Sequence, residues 1–132
     1  QARKGPTYRE AILMHAVARL ALHPHISNIQ TSWVKMGPEG AKACLNAGAN
    51  DLGGTLMNET ITRSAGASWG QEMPPEEMDA LIASIDRTPE RRSTLYGPVE
   101  AERIGASLAA GPLMETINNP PQRIKNTNIN HA

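Results

Sequence analysis

The hydrophobic positions change period along the chain. Ile12, Leu13, Ala16, Val17 and Leu20 recur at three- and four-residue spacing, which predicts one apolar face of a helix. Ahead of them, Pro6-Thr7-Tyr8-Arg9-Glu10 reads as a capping box. Thr7 accepts from the amide three residues on, and Glu10 reaches back to the Thr7 amide. Pro24 cannot continue the helix, so its end is expected near Leu22 or His23.

Between Asn28 and Met36 the period falls to two: Ile29, Thr31 and Trp33 alternate with Gln30, Ser32 and Val34. The β-branched and aromatic content favours a strand. Gly37-Pro38-Glu39 then opens a helix carrying Ala41, Cys44 and Leu45, and Gly48 suits its left-handed C-terminal stop. A second strand is expected over Asp51 to Met57, after which Asn58 can cap a helix from Glu59. Ser64 to Met73 has no periodicity and reads as a loop. Pro74-Pro75-Glu76-Glu77 starts a helix with Met78, Leu81, Ile82 and Ile85 on one face. A short third strand over Arg92 to Gly97 and a weak helix over Glu100 to Ala109, with Ile104 and Leu108 inward, complete the pattern. From Gly111 onward Pro, Asn and Gln dominate, and little fixed structure is expected.

Helices alternating with strands predict an α/β fold with parallel pairing through right-handed crossovers. Three strands cannot close a barrel, and a (β/α)8 barrel takes about 250 residues. The expectation is therefore a partial (β/α)8 TIM-type barrel: residues 1–97 as its last βα units, and 98–132 as a weak helix with a flexible tail. Such a piece needs the missing N-terminal barrel half as its partner, because its open sheet edges invite pairing or aggregation.

Composition narrows the classes. Leu, Ile and Val together number 23 of 132 residues and Phe is absent, so the core is thin. Thirteen basic residues balance thirteen acidic ones, which argues against a nucleic-acid partner. No apolar run reaches the roughly 20 residues of a membrane span, and QARKGPTYRE lacks the apolar stretch of a signal peptide. The single cysteine, Cys44, excludes an internal disulfide framework and fits a reducing, cytoplasmic setting. His15, His23, His25 and Cys44 match no compact metal-ligand spacing.

Barrel enzymes place their chemistry at the C-terminal strand ends. That rule selects Trp33, Val34, Lys35 and Met36 from the first strand and Thr55 to Glu59 from the second; on other grounds Gln30, Ser32, Gly53 and Gly54 join Lys35, Asn58 and Glu59 as seven candidate binding residues. Gln30 and Ser32 are unusual in a strand expected to be apolar, and either line a polar lumen or bond within the wall. Gly53-Gly54 implies either close approach of a ligand to the backbone or a bulge. Lys35 could hold a carboxylate, and Glu59 or Asp51 an amine or ring N–H. Trp33 fits either the core or a stacking role. No catalytic residue is identifiable from spacing.

NIQTSWVKMG (28–37) and DLGGTLMNETITRSAG (51–66) are long and distinctive strings. From about Arg3 to Gly97 the chain resembles the C-terminal part of FO synthase, a radical S-adenosylmethionine enzyme family. It is most similar to the half or subunit that transfers 4-hydroxybenzyl from tyrosine to 5-amino-6-ribitylaminouracil. The resemblance implies a transferase in deazaflavin coenzyme biosynthesis, with S-adenosylmethionine, a four-iron four-sulfur (4Fe-4S) cluster, and tyrosine and the diaminouracil as substrates. The family holds its cluster with a Cys-x-x-x-Cys-x-x-Cys loop, and this chain has no such loop, so alone it is expected to be inactive. Trp69 stands before Gly70 where a histidine is common in the family. A menaquinone (futalosine) pathway radical enzyme and a non-catalytic fragment or interaction module are the competing readings.

Overall fold

The computed structural model describes residues 5–56, 59–66, 69–70 and 72–111. Five helical segments account for its regular structure: α1 (Tyr8–Leu22), α2 (Trp33–Asn46), α3 (Ile61–Ser64), α4 (Pro75–Ala83) and α5 (Ala101–Ala109). The expected tail from residue 112 and the Asn58 cap lie outside the described residues.

Local signals set the helix ends. The Thr7 amide donates to Glu10 Oε2 at 2.7 Å and the Glu10 amide to Thr7 Oγ1 at 3.3 Å, which closes the capping box of α1. Both bonds satisfy amides that the first turn leaves without partners. The Thr7 backbone bond also holds the Glu10 carboxyl below its ordinary pKa of 4.5, because an N–H donor favours the charged form. α1 stops at Leu22, just ahead of Pro24, as expected. Gly48 lies beyond the C-cap of α2 with φ +123°.

The partial (β/α)8 barrel is not what the chain forms. Among the described residues there is no sheet, only two isolated β-bridges: Gln30 with Asp51, parallel, and Arg92 with Pro98, antiparallel. The first expected strand ends almost as it begins. At Ser32 the backbone enters α2, and the Met36 amide donates to the Ser32 carbonyl at 2.9 Å. Burial still alternates, with Ile29, Thr31 and Trp33 buried while Gln30 is exposed and Ser32 half-buried, but Val34 is buried as well. The second expected strand is broken by left-handed backbone at Gly53 (φ +79°) and Leu56 (φ +48°), which no extended ladder accommodates. The third is a turn, in which the Ser93 amide donates to the Gly97 carbonyl at 2.9 Å and Tyr96 has φ +61°. A period-two pattern specifies which side chains are buried, and a strand forms only where a neighbour supplies a ladder.

The helix expected from Gly37 is the second part of α2. Gly37, at φ +69°, separates a first turn over Trp33–Met36 from the helix that starts at Pro38. Only glycine fits there, since an added Cβ would sit 2.9 Å from the ring of Trp69.

The core is built around α2. Trp33, Val34, Ala41, Cys44, Leu45, Ala49, Leu52, Met73 and Leu81 are buried together, with Ile12, Met36, Met78, Ile82 and Ile85 packed against them. The predicted stripe of α4 therefore faces inward. α1 meets α2 on a side set slightly off its apolar stripe: Tyr8 lies against Gly40, and the base of Arg19 lies against Gly48. Leu13, Met14, Val17 and Leu20 remain exposed, Leu20 at 82%. Tyr8, Arg9, Ile12, Leu13 and Ala16 line an open apolar groove of about 350 Å³ on α1. On α5 Ile104 is half-buried, but Leu108, expected inward, is 43% exposed.

Candidate functional site

Asn50 and Arg19 bring the two distinctive strings together. Arg19 Nε donates to the Gly48 carbonyl, Nη1 to the Ser27 carbonyl and Nη2 to Asn50 Oδ1, each at 2.8 Å. Asn50 Oδ1 also accepts from the Ile29 amide at 2.8 Å. Segments 27–31 and 48–51 are thus tied to α1 by one guanidinium, whose planar fork matches several acceptors at once. Beside this clamp the Thr31 amide donates to the Asp51 carbonyl at 2.8 Å, and the Asn50 amide to the Ile29 carbonyl at 3.0 Å.

Beyond the crossing, Asp51 organises the next turn. Its side chain is 7% exposed, and its Oδ1 accepts from the Gly53 amide at 2.7 Å. Its Oδ2 accepts from Arg92 Nε at 2.8 Å and pairs with Nη2 at 2.6 Å. The Arg92 guanidinium also stacks on Tyr96, 4.2 Å from the ring centroid. A buried carboxylate needs this kind of partner set, because an unpaired charge there is strongly disfavoured. Next along the chain the Gly54 carbonyl accepts from Trp33 Nε1 at 2.9 Å.

The seven candidate residues separate into those that meet here and those that do not. Gln30, Ser32, Gly53 and Gly54 belong to the crossing. Gln30 is exposed, and its amide lies so close to Gly53 that a Cβ there would fall 2.6 Å from Nε2. Gly54 is open, with nothing within 4 Å of an added Cβ. Ser32 is the N-cap residue of α2, but its hydroxyl makes no capping bond. Lys35 is exposed on the first turn of α2, and its carbonyl accepts from Trp69 Nε1 at 3.4 Å. Glu59 stands apart from this network: its Oε1 accepts from the Ile61 amide at 2.9 Å and the Thr62 amide at 3.1 Å, capping α3. Asn58 lies outside the described residues.

Two alternatives left open by the residues now close. Trp33 is core, 3% exposed, with its N–H committed to Gly54. Asp51 is committed to Gly53 and Arg92 and does not project outward as a free acceptor. Sequence reasoning missed Arg19, Asn50 and Arg92. Each makes at least one bond across more than twenty positions, as in the 41-residue separation of Asp51 and Arg92, and no local spacing marks such pairs.

Among the described residues the arrangement presents groups suited to binding rather than an acid–base pair. Its outward features are a carboxamide (Gln30), an ammonium (Lys35) and an open backbone turn (Gly54). Among the described residues no three His, Cys, Asp or Glu side chains gather into a metal site, and Cys44 is fully buried. No described helix is long and apolar enough to cross a membrane.

Comparison with known proteins agrees with the distinctive strings. The chain is 56% identical over 102 residues to the FO synthase of Streptomyces coelicolor, covering 77% of this chain and 12% of that protein. It is 55% identical over 93 residues to the 5-amino-6-(D-ribitylamino)uracil–L-tyrosine 4-hydroxyphenyl transferase of Archaeoglobus fulgidus, covering 70% of this chain and 27% of that protein. A protein of Methanopyrus kandleri bearing the same transferase name is 52% identical over 99 residues, 75% of this chain and 27% of its own length. The chain thus spans between about an eighth and about a quarter of these relatives. No solved structure matches it. The family model described as the CofH/MqnC C-terminal region matches residues 1–103, and the chain belongs to that family.

Proposed function

We propose that this chain works as the C-terminal segment of an FO synthase-type transferase, which moves the 4-hydroxybenzyl group of tyrosine onto 5-amino-6-ribitylaminouracil. The observation that carries this reading is the meeting of NIQTSWVKMG and DLGGTLM at the Gln30–Asp51 crossing. Two separate stretches of family-like sequence are thereby brought to one polar, partly open place. In this reading Gln30, Ser32, Lys35, Gly53, Gly54, Asn58 and Glu59 contribute substrate or S-adenosylmethionine contacts. The Lys35 ammonium suits a carboxylate, and the Gln30 carboxamide suits a polar ring edge. Their part in the reaction is to bind and orient the reactants, since holding reacting groups in place is the main lever a protein has over cofactor chemistry.

The 4Fe-4S cluster of the family does not fit this chain. Such a cluster is held by several thiolates, and the one cysteine here is enclosed in the core of α2. The cluster ligands therefore belong to another part of the complete enzyme, and no step is assigned to residues of this segment through it. When bound there, the cluster and S-adenosylmethionine supply the radical.

The test uses the complete enzyme that carries this segment. Product should form from tyrosine plus the diaminouracil, and a complete enzyme in which Gln30→Ala and Lys35→Ala are combined should show a raised KM for a substrate. Turnover of a chorismate-derived enol ether in place of the diaminouracil would overturn the reading in favour of a menaquinone-pathway enzyme. Full activity without this segment would reduce it to a dispensable module.

A further inference from the structure

We infer that Arg92 is a positioning residue for the candidate site: through Asp51 it sets the Gly53–Gly54 turn, and so the substrate contact made there. This rests on the function proposed above, because it assigns the turn to that reaction's binding surface.

The chain of contacts is continuous. Arg92 places both Nε and Nη2 on Asp51 Oδ2, and the other oxygen of the same carboxylate takes the Gly53 amide. Gly53 holds φ +79°, a conformation that needs an outside constraint to remain the only one occupied. The side-chain bond from residue 51 to the amide of residue 53 is that constraint, a local turn closed by an aspartate. From Gly53 the path runs to Gly54, whose carbonyl is held by Trp33.

Arg92 is itself held from three sides. Nη1 donates to the Ser93 carbonyl at 3.2 Å, the Tyr96 ring lies under the guanidinium, and Asp51 faces it. The turn over 93–97 that presents Tyr96 is closed by the Gly97 amide donating to Ser93 Oγ at 3.1 Å. The fork geometry matters as much as the charge. A lysine ammonium is a point donor that does not reproduce the paired contact on Oδ2 together with the guanidinium's place over the Tyr96 ring. Without the guanidinium, the Asp51 carboxylate is free to swing toward water and release the Gly53 amide. The open side of the turn then becomes an ensemble rather than one shape.

The experiment places Arg92→Ala and Arg92→Lys in the complete enzyme, beside the parent. Four quantities are read: amide hydrogen exchange at Gly53, KM for tyrosine and for the diaminouracil separately, kcat, and the melting temperature. The expected result is faster exchange at Gly53 and a KM raised about 10-fold or more for one substrate, the size of effect that misplacement of a binding group produces. The other KM and kcat should stay near the parent values. Arg92→Lys should recover less of the KM than of the thermal stability. If Arg92→Ala is poorly folded, Arg92→Lys carries the same readouts. Unchanged exchange at Gly53, or a lowered melting temperature with both KM values unchanged, overturns the inference and leaves the proposed function standing. A parent enzyme that makes no product from this substrate pair overturns the proposed function, and the substrate assignment of Arg92 with it.

Discussion

Trp33 donates its indole N–H to the carbonyl of Gly54 at 2.9 Å, joining the first turn of α2 to an exposed glycine 21 residues away. One side chain therefore serves both as the largest member of the core and as a strut for the candidate site. Trp33→Phe should keep most of the packing and lose the bond, at about 1–3 kcal/mol when the smaller ring volume is included. Trp33→Ala should cost about 3–5 kcal/mol. Urea denaturation followed by circular dichroism measures both, and equal midpoints for the two variants would contradict the double role.

The neighbouring glycines should respond differently. Gly53→Ala places a Cβ 2.6 Å from Gln30 Nε2 in backbone that L-residues avoid, so a loss of about 1–3 kcal/mol is expected. Gly54→Ala meets nothing within 4 Å and should change stability by no more than about 0.5 kcal/mol. If Gly54 faces a substrate, its alanine variant should instead raise a KM in the complete enzyme. Comparing the two variants by melting temperature and by kinetics separates fold from binding.

The cap of α1 should be pH-dependent. The Glu10 pKa is lowered by its bonds to Thr7, so the folded form binds its proton more weakly than the unfolded chain does. Its stabilisation is fully present above the ordinary value of 4.5 and is lost as pH falls through the depressed folded value. Amide exchange in the first turn of α1 should therefore speed up at acid pH beyond its intrinsic pH trend. Glu10→Gln should remove that extra dependence.

The exposed apolar stripe of α1 should dominate the solution behaviour of the isolated chain. Leu20 is 82% exposed and Met14 68%, with Leu13 and Val17 beside them. Exposed apolar patches of this kind promote association. Leu20→Lys should raise solubility and lower the apparent mass in light scattering, with a stability change of no more than about 0.5 kcal/mol. The expected cause of association thus moves from open sheet edges, which the described residues lack, to a helix face.

The two halves of the Gln30–Gly54 region were unequally legible. The alternation Ile29, Thr31, Trp33 coincides with buried positions although the strand it predicted does not form and Val34 is buried as well, and of the pair Gly53-Gly54 it is Gly53 that holds left-handed backbone. What the alternation did not carry was a ladder partner for each position. Gly53 proved to need its freedom for an internal reason, the close approach of Gln30, which a glycine pair in isolation does not reveal. Arg92 carried no signal at all, since an arginine after an arginine looks like solvated surface until its partner is known.

By itself the sequence determined both ends of α1, the restart of α2 at Pro38 and its stop near Gly48, and the start of α4, but not the first turn of α2 at Trp33. Thr7 with Glu10, Pro24, Pro38, Gly48 and Pro75 act through bonds and clashes within a few residues, so their effects are present before any tertiary contact forms. It also determined the family, because long runs of residue identity need no structure to compare. Only the tertiary structure decided that the period-two segments would turn away from a sheet and that Asp51 would bind Arg92. Such pairings require closing loops of tens of residues. They form where burial elsewhere in the chain, here around α2, has already brought the two ends together.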